Sequence, residues 1–296
     1  MAEWVYYKVY LGRYVDRFDF ACSYLARRVQ EDIGARHWFF LRYSDSGGPH
    51  VRMRWRDGRG SRESQVSTFE ALAETLYSEL VYASPGTYRP LVNIQGIASP
   101  APVHPLAEAI AVEAAYEPEL DVFLGPAHID IAHDVFQASS EIALDVLTLD
   151  AGGSISRKTM APLLMRTVAD VLLDEPDRAP FFAAYQGYWL ARDAIRLDHL
   201  TGEFESKAMA LRNARHLLFP GLDDVSPAAH AIVSRWRETL AHARRAYNGA
   251  IPDRRRFPSN LPFQFMHLMN NRIGINVLDE AYLACLVRAY TEGATL

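Results

Sequence analysis

The sequence predicts an α+β fold: an N-terminal antiparallel sheet region with helices, followed by a helix-rich C-terminal part. Three observations carry this. Short runs of aromatic and β-branched residues fill the first part, an apolar period of three and four takes over from about Gly125, and the two patterns do not alternate as βα units would. A single domain over 1–296 is expected, strand-rich over 1–124 and helix-rich over 125–296.

Glu3 to Leu11, dominated by aromatic and β-branched residues, predicts a half-buried strand. Val15, Phe18, Cys22, Leu25, Val29 and Ile33 recur at three- and four-residue steps, which predicts a helix with one apolar face. His37 to Tyr43 and Val51 to Arg56 predict two strands of an antiparallel hairpin, joined by the turn residues Ser44 to Pro49. Ser67-x-x-Glu70 has capping-box spacing and introduces a helix over Val66, Phe69, Leu72, Leu76 and Leu80. Tyr88 to Pro105 reads as extended and Pro-interrupted, ending in the flexible-looking Ala98 to Pro102. Helices follow near 127–147, 157–174, 178–198, 205–217, 227–247, 261–271 and 277–291, and Pro252 to Pro258 is the best linker.

Composition excludes several classes. With 31 Lys and Arg against 36 Asp and Glu, a formal charge of -5 argues against generic phosphate binding, so no nucleic-acid partner is expected. The two cysteines, Cys22 and Cys285, sit at helical spacing among apolar residues and read as small buried hydrophobes. The N-terminus lacks a basic start followed by an apolar run, and no apolar stretch approaches the roughly 18–20 residues that span a bilayer, so a soluble cytoplasmic protein without a membrane partner is expected. Gly58-Arg59-Gly60 lacks the third Gly of a dinucleotide loop, and neither a Walker A sequence nor Gly-x-Ser-x-Gly occurs. His128 and His133 lie five apart, whereas a helical zinc pair needs four, so they read as solvated helix residues. Neither cofactor nor metal is expected.

Three features carry chemistry. In Val51 to Arg56, period-two alternation puts Arg52, Arg54 and Arg56 on one face, a stripe suited to water or to anionic groups. The wet face of an antiparallel sheet is the plainer reading. If Arg42 of the preceding strand faces the same way, the result is a cationic floor for carboxylate or amide oxygens. Gln264, His267 and Asn271 line one side of an otherwise apolar helix, facing either an enclosed polar site or a backbone partner. Tyr116-Glu117-Pro118-Glu119 forms an extended approach to the next helix.

Together these residues resemble the SpaB C-terminal or thiopeptide-type bacteriocin biosynthesis family, the glutamate-elimination half of class I lanthipeptide dehydratases. The resemblance runs from Trp4–Tyr10 through Trp38–Asp45, His50–Arg54, Tyr116–Glu119 and Gly125–Pro126 to His267–Gly274. In eliminating members it implies that the glutamyl ester is bound by the Arg residues of His-x-Arg-x-Arg, by a Glu and an Arg of Tyr-x-x-Glu-x-x-Arg-Tyr-Gly-Gly, and by the C-terminal His. Arg52, Arg54, Glu119 and His267 match. The second segment's Arg is replaced by Val122, its Tyr-Gly-Gly by Phe123-Leu124-Gly125, and the Ser three before the His by Gln264.

Elimination needs a cation for the departing carboxylate, so these departures turn the resemblance toward the family's other use of the fold. That use is thiopeptide pyridine synthesis, a formal aza-[4+2] cycloaddition between two dehydroalanines of a modified precursor peptide, with loss of water and leader peptide. For that reaction the candidate catalytic residues are His267, Tyr116 and Arg52, and the candidate substrate-binding ones are Arg42, Arg54, Glu119, Gln264 and Asn271. The partner the resemblance implies is a dehydrated, azole-containing precursor peptide with its leader, with other enzymes of the pathway and an oligomer left open. The Arg254-Arg255-Arg256 run is a candidate leader contact. Two alternatives stand beside it: the elimination subunit of a split dehydratase, and a non-catalytic scaffold that binds precursor peptide.

Overall fold

Four strands, β1 (Val5–Tyr10), β2 (His37–Asp45), β3 (Gly48–Arg56) and β4 (Ile110–Glu113), form one antiparallel sheet in the order β2-β3-β1-β4. The structure is a computed structural model that describes residues 3–86, 88–92, 109–191, 197–211, 226–250, 257–258 and 260–293. The chain divides into two units, Met1–Tyr88 with Ile94–Asp121, and Arg89–Asn93 with Val122–Leu296. The Ala98 to Pro102 stretch, the last turns of the helix expected to 217 and the Arg254 to Arg256 run lie outside the described residues.

In the first unit the hairpin is tighter than expected. Asp45 pairs with Gly48, so only Ser46 and Gly47 form the turn. The register pairs Val5 with Trp55, Tyr7 with Met53 and Val9 with Val51, which gathers these buried side chains on one face. The helices α1 (Phe18–Glu31) and α2 (Arg62–Leu80) cover that face. Tyr7 and Trp55 both lie 4.7 Å from the Phe69 ring of α2, while the Tyr7 hydroxyl donates to Glu70 at 3.0 Å.

Local structure corrects two expectations and adds a strand. Gly12, at φ +51°, opens a 3-10 turn over Gly12–Arg17, and Tyr14 leaves helical geometry, so Val15 is 44% exposed and does not join the apolar face of α1. The capping box expected at Ser67 lies inside α2. The helix starts instead at Arg62, where Ser61 accepts the Ser64 amide at 3.3 Å. The strand β4 was not foreseen, because it is four residues long and its Ile110 and Val112 face outward.

The second unit is helical: α3 (Ile129–Ala151), α4 (Arg157–Leu172), α5 (Glu175–Leu190), α6 (Leu197–Leu211), α7 (Pro227–Ala250), α8 (Asn260–Ile273) and α9 (Val277–Gly293). The helix expected over 178–198 ends at Leu190, and α6 begins at Leu197 rather than 205. Helices α3 and α4 pack against α7 and α8, and α5 lies along α9. Met160, Leu164, Val168, Trp236, Leu240, Phe265 and Met269 are buried in this unit. Arg157 ties it together from within, bonding Asp150 at 2.7 Å and the Ile273 carbonyl at 3.0 Å. Asp279, in the first turn of α9, accepts the Leu91 and Val92 amides at 2.9 and 2.8 Å, which anchors that short segment to this unit. Cys22 and Cys285 are buried free thiols, as expected. Among the described residues no helix is long and apolar enough to cross a membrane.

Candidate functional site

The predicted site residues fall into two groups, one in each unit. In the first, antiparallel register decides which side chains share a face. Arg54 pairs with Tyr6 and Phe39, Arg52 with Lys8 and Leu41, and Arg56 with His37, so the arginines lie on the side of the sheet opposite α1 and α2.

On this face the arginines stack on aromatic rings. The Arg52 guanidinium lies 3.3 Å over the Tyr43 ring, Arg56 lies 4.9 Å over Trp4, and Arg54 lies 4.3 Å from the Tyr6 ring and 5.0 Å from that of Tyr116. Cation–π stacking keeps the three charges apart and partly replaces lost water. Arg54 is only 5% exposed, and its Nε and Nη1 have no hydrogen-bond partner among the described residues. Burial lowers its pKa to about 10, against the opposing fields of Tyr6, Tyr116 and Glu119. The group therefore stays cationic at neutrality, with two nitrogens whose N–H groups can donate to a carbonyl or carboxylate oxygen.

Arg42 does not belong to this floor. It pairs with Val51, which puts it on the helix side, where it donates to Asp19 of α1 at 2.7 Å and stacks on Phe18 at 5.1 Å. A single-residue offset in strand phase separates it from Arg52 and Arg54.

Tyr116 follows β4, whose ladder is extended by the Ala114 amide bonding the Tyr6 carbonyl at 2.9 Å. Its ring packs edge-on against Trp4 at 5.7 Å and Phe39 at 6.0 Å. Glu119 is exposed. A cleft of about 570 Å³ opens beside Tyr116, lined by Glu3, Trp4, Arg62, Glu113 and Pro118. At the hairpin end, Asp45 accepts from Lys8 at 3.0 Å, from Tyr10 at 3.1 Å and from the Gly47 amide at 2.9 Å. Fully buried His50 donates through Nδ1 to the Gly48 carbonyl at 3.0 Å, and burial lowers its pKa.

In the second unit, Gln264, His267 and Asn271 occupy the half-buried side of α8, as their spacing requires. The partner of His267 is a carboxylate, not backbone. Nδ1 lies 3.1 Å from Glu280 Oε1 of α9, and Glu280 is completely buried. Tyr185 of α5 donates its hydroxyl to the same carboxylate. Burial, and then Glu280, hold the Tyr185 phenol well above its ordinary pKa. Trp189 lies 4.6 Å from the His267 ring. A cleft of about 590 Å³ borders this group, lined by Phe181, Tyr185, Tyr188, Arg244, Phe257 and Phe263.

Tyr185, Trp189 and Glu280 were missed by sequence reasoning. One signal was available: Asn276-x-x-Asp279 has capping spacing, and Asn276 does accept the Asp279 amide at 2.9 Å, which places Glu280 at a helix start. Arg272, in the same run as His267, is structural: it bonds Ser140 of α3 at 3.0 Å from a fully buried position. His133 is buried rather than solvated, with Nδ1 3.3 Å from Asp130, and among the described residues no three His, Cys, Asp or Glu side chains gather as a metal site.

A family model described as the C-terminal part of the lantibiotic biosynthesis dehydratase matches residues 4–291. The chain belongs to this family. No curated protein matches the chain by sequence. Among solved structures, the pyridine synthase TbtD from thiomuracin biosynthesis is similar with a TM-score of 0.64 and 19% identity, over 99% of this chain and 98% of that one. TsrL is similar with a TM-score of 0.59 and 18% identity, over 100% of this chain and 96% of that one. The tRNA-dependent lantibiotic dehydratase MibB from Microbispora sp. 107891 gives a TM-score of 0.59 and 18% identity over 99% of this chain, but the chain spans only 28% of that enzyme. At these identities the likeness is one of fold. The small antiparallel sheet followed by a helical unit is thus the lantibiotic dehydratase C-terminal architecture.

Proposed function

We propose that this protein is a cytoplasmic thiopeptide pyridine synthase. Its substrate is a dehydrated, azole-containing precursor peptide, and its reaction is the formal aza-[4+2] cycloaddition of two dehydroalanines followed by loss of water and of the leader as a carboxamide. The observation that carries the reading is the fate of the segment where eliminating relatives place their second arginine. Val122 stands in its place, and its neighbour Phe123 is a buried core residue, packed 5.1 Å from Phe136 and 6.2 Å from Phe265. A valine in that position supplies no cation for a departing glutamate. The near end-to-end likeness to TbtD supports the same reading.

The chemistry asks little of a cofactor. Holding two tethered alkenes together supplies much of the acceleration through effective molarity. One amide must react as its iminol tautomer, and Tyr116 or Arg52 would stabilise that oxygen. Arg54, with unpartnered donors in an aromatic enclosure, would hold a peptide carbonyl, with Glu119, Gln264 and Asn271 as further peptide contacts. His267 would move the protons that leave with water and with the leader.

The test is mass spectrometry of the full chain incubated separately with a dehydrated azole-containing precursor and with a glutamylated one. Release of a leader carboxamide with a pyridine product supports the proposal. Loss of glutamate from the second substrate overturns it in favour of elimination, which the matched Arg52, Arg54, Glu119 and His267 keep open. Binding of either peptide without turnover overturns it in favour of a scaffold.

A further inference from the structure

A chain of side chains runs through the second unit from α5 to α8: the Tyr185 hydroxyl donates to Glu280, and Glu280 faces His267 Nδ1 at 3.1 and 3.3 Å. We propose that Glu280 is a positioning residue that accepts the Nδ1 proton of His267, fixes its tautomer and ring plane, and leaves Nε2 as the lone pair available to take a proton. Tyr185 holds Glu280 in place. The inference deepens the proposed role of His267 and rests on it.

Four observations support the assignment. A completely buried carboxylate is strongly disfavoured unless it is hydrogen-bonded, and Glu280 has two donors of the right kind. It lies in the first turn of α9, where free backbone amides favour negative charge. The His267 side chain keeps 24% of its surface accessible although Nδ1 is committed to a buried partner, so the accessible edge is the one that carries Nε2. The Trp189 ring, 4.6 Å away, restrains imidazole rotation. An ionised carboxylate only accepts hydrogen bonds, which assigns the proton to Nδ1.

Among the described residues, Glu280 of α9 meets His267 directly and Tyr185 of α5 reaches it through Glu280, while its own helix carries the uncharged Gln264 and Asn271 on that side. The charged groups where α3 and α4 meet α8 are engaged on its buried side, Arg157 with the Ile273 carbonyl and Arg272 with Ser140.

The test is NMR of the full-length protein labelled with 15N-histidine, with the His267 signals identified by their loss in His267→Asn. Wild type should show neutral His267 protonated at Nδ1. Glu280→Gln should lower its titration midpoint by about one pH unit, a tenfold loss of proton affinity. Tyr185→Phe should raise it, because Glu280 loses a competing donor. Shifts of opposite sign are not what a merely structural role would give.

An unchanged midpoint and tautomer in Glu280→Gln, or shifts of the same sign, overturn the inference. If Glu280→Gln does not fold, as judged by circular dichroism, Tyr185→Phe decides alone, and an unchanged midpoint there overturns it. The titration needs no peptide, so it stands apart from the proposed reaction. Opposite shifts in a protein that releases no leader carboxamide support the positioning and reject the pyridine synthase reading.

Discussion

The Arg54 guanidinium lies 4.3 Å above the ring of Tyr6, its cross-strand partner, with two of its nitrogens unpartnered among the described residues. A buried cation whose donors are unmet is a cost to folding, and apolar replacement of such groups is often neutral or stabilising. Arg54→Met should therefore leave Tm unchanged or raise it by about 2–4 °C, while weakening binding of the dehydrated precursor at least about tenfold. Thermal melts and titration calorimetry measure the two effects. Loss of stability without loss of affinity would make Arg54 a structural residue.

Arg42 gives the opposite prediction. Its bond to Asp19 at 2.7 Å joins β2 to α1 with both side chains largely sheltered. Arg42→Gln should cost about 1–2 kcal/mol in urea unfolding and leave peptide affinity at the wild-type value. A double-mutant cycle with Asp19→Asn should recover most of that cost as coupling. Reduced affinity in a folded Arg42→Gln protein would return this residue to the substrate site.

The hairpin end should make stability pH-dependent. Burial lowers the His50 pKa in the folded chain, so the unfolded chain binds a proton first on acidification. The stabilisation is complete above about pH 6.5, the unfolded value, and is lost as pH falls toward the lower folded one. His50→Asn, whose amide can still donate to the Gly48 carbonyl, should flatten the slope between about pH 7.5 and 5.5. Urea denaturation across that range is the measurement, and an unaltered slope would remove His50 as its source.

Asp45 acts lower on the scale. Burial alone would raise its pKa, but hydrogen bonds from Lys8, Gly47 and Tyr10 outweigh it and hold the carboxyl below its ordinary value of 3.8. Its contribution is present above the unfolded value and lost as pH falls through the folded one. Asp45→Asn should lower stability at pH 7 and converge with wild type at about pH 2 in the same denaturation series.

How much of this was legible depends on how local each feature is. The β2–β3 hairpin and the helix sequence from α3 to α9 follow from period and turn chemistry, and the structure keeps them with shifted ends. What covers a face is not local. The arginine stripe was readable from alternation, but its stacking on Tyr6, Tyr43 and Trp4 depends on which strands become neighbours. The same holds for Arg42, whose face follows from the β2–β3 register. His267 was readable as one of a polar stripe on α8, whereas Glu280 looks like any acidic residue at a helix start until α5 and α9 bring Tyr185 and His267 to it.

Tyr116 and His267 separate two parts of the proposed reaction. The Tyr116 ring packs on Trp4 and Phe39, so Tyr116→Phe keeps those contacts and removes only the hydroxyl. If that hydroxyl stabilises the iminol oxygen, cyclisation should slow by about 10²-fold, with peptide binding little changed. His267→Ala should instead slow the proton transfers that release water and leader, by about 10²–10⁴-fold, so that a cyclised but leader-bearing intermediate accumulates. Time-resolved mass spectrometry distinguishes them: starting peptide persists with Tyr116→Phe, whereas His267→Ala builds up the intermediate. Wild-type rates of both cyclisation and leader release in His267→Ala would remove it as the acid–base group, because no other role proposed for it survives the loss of its ring.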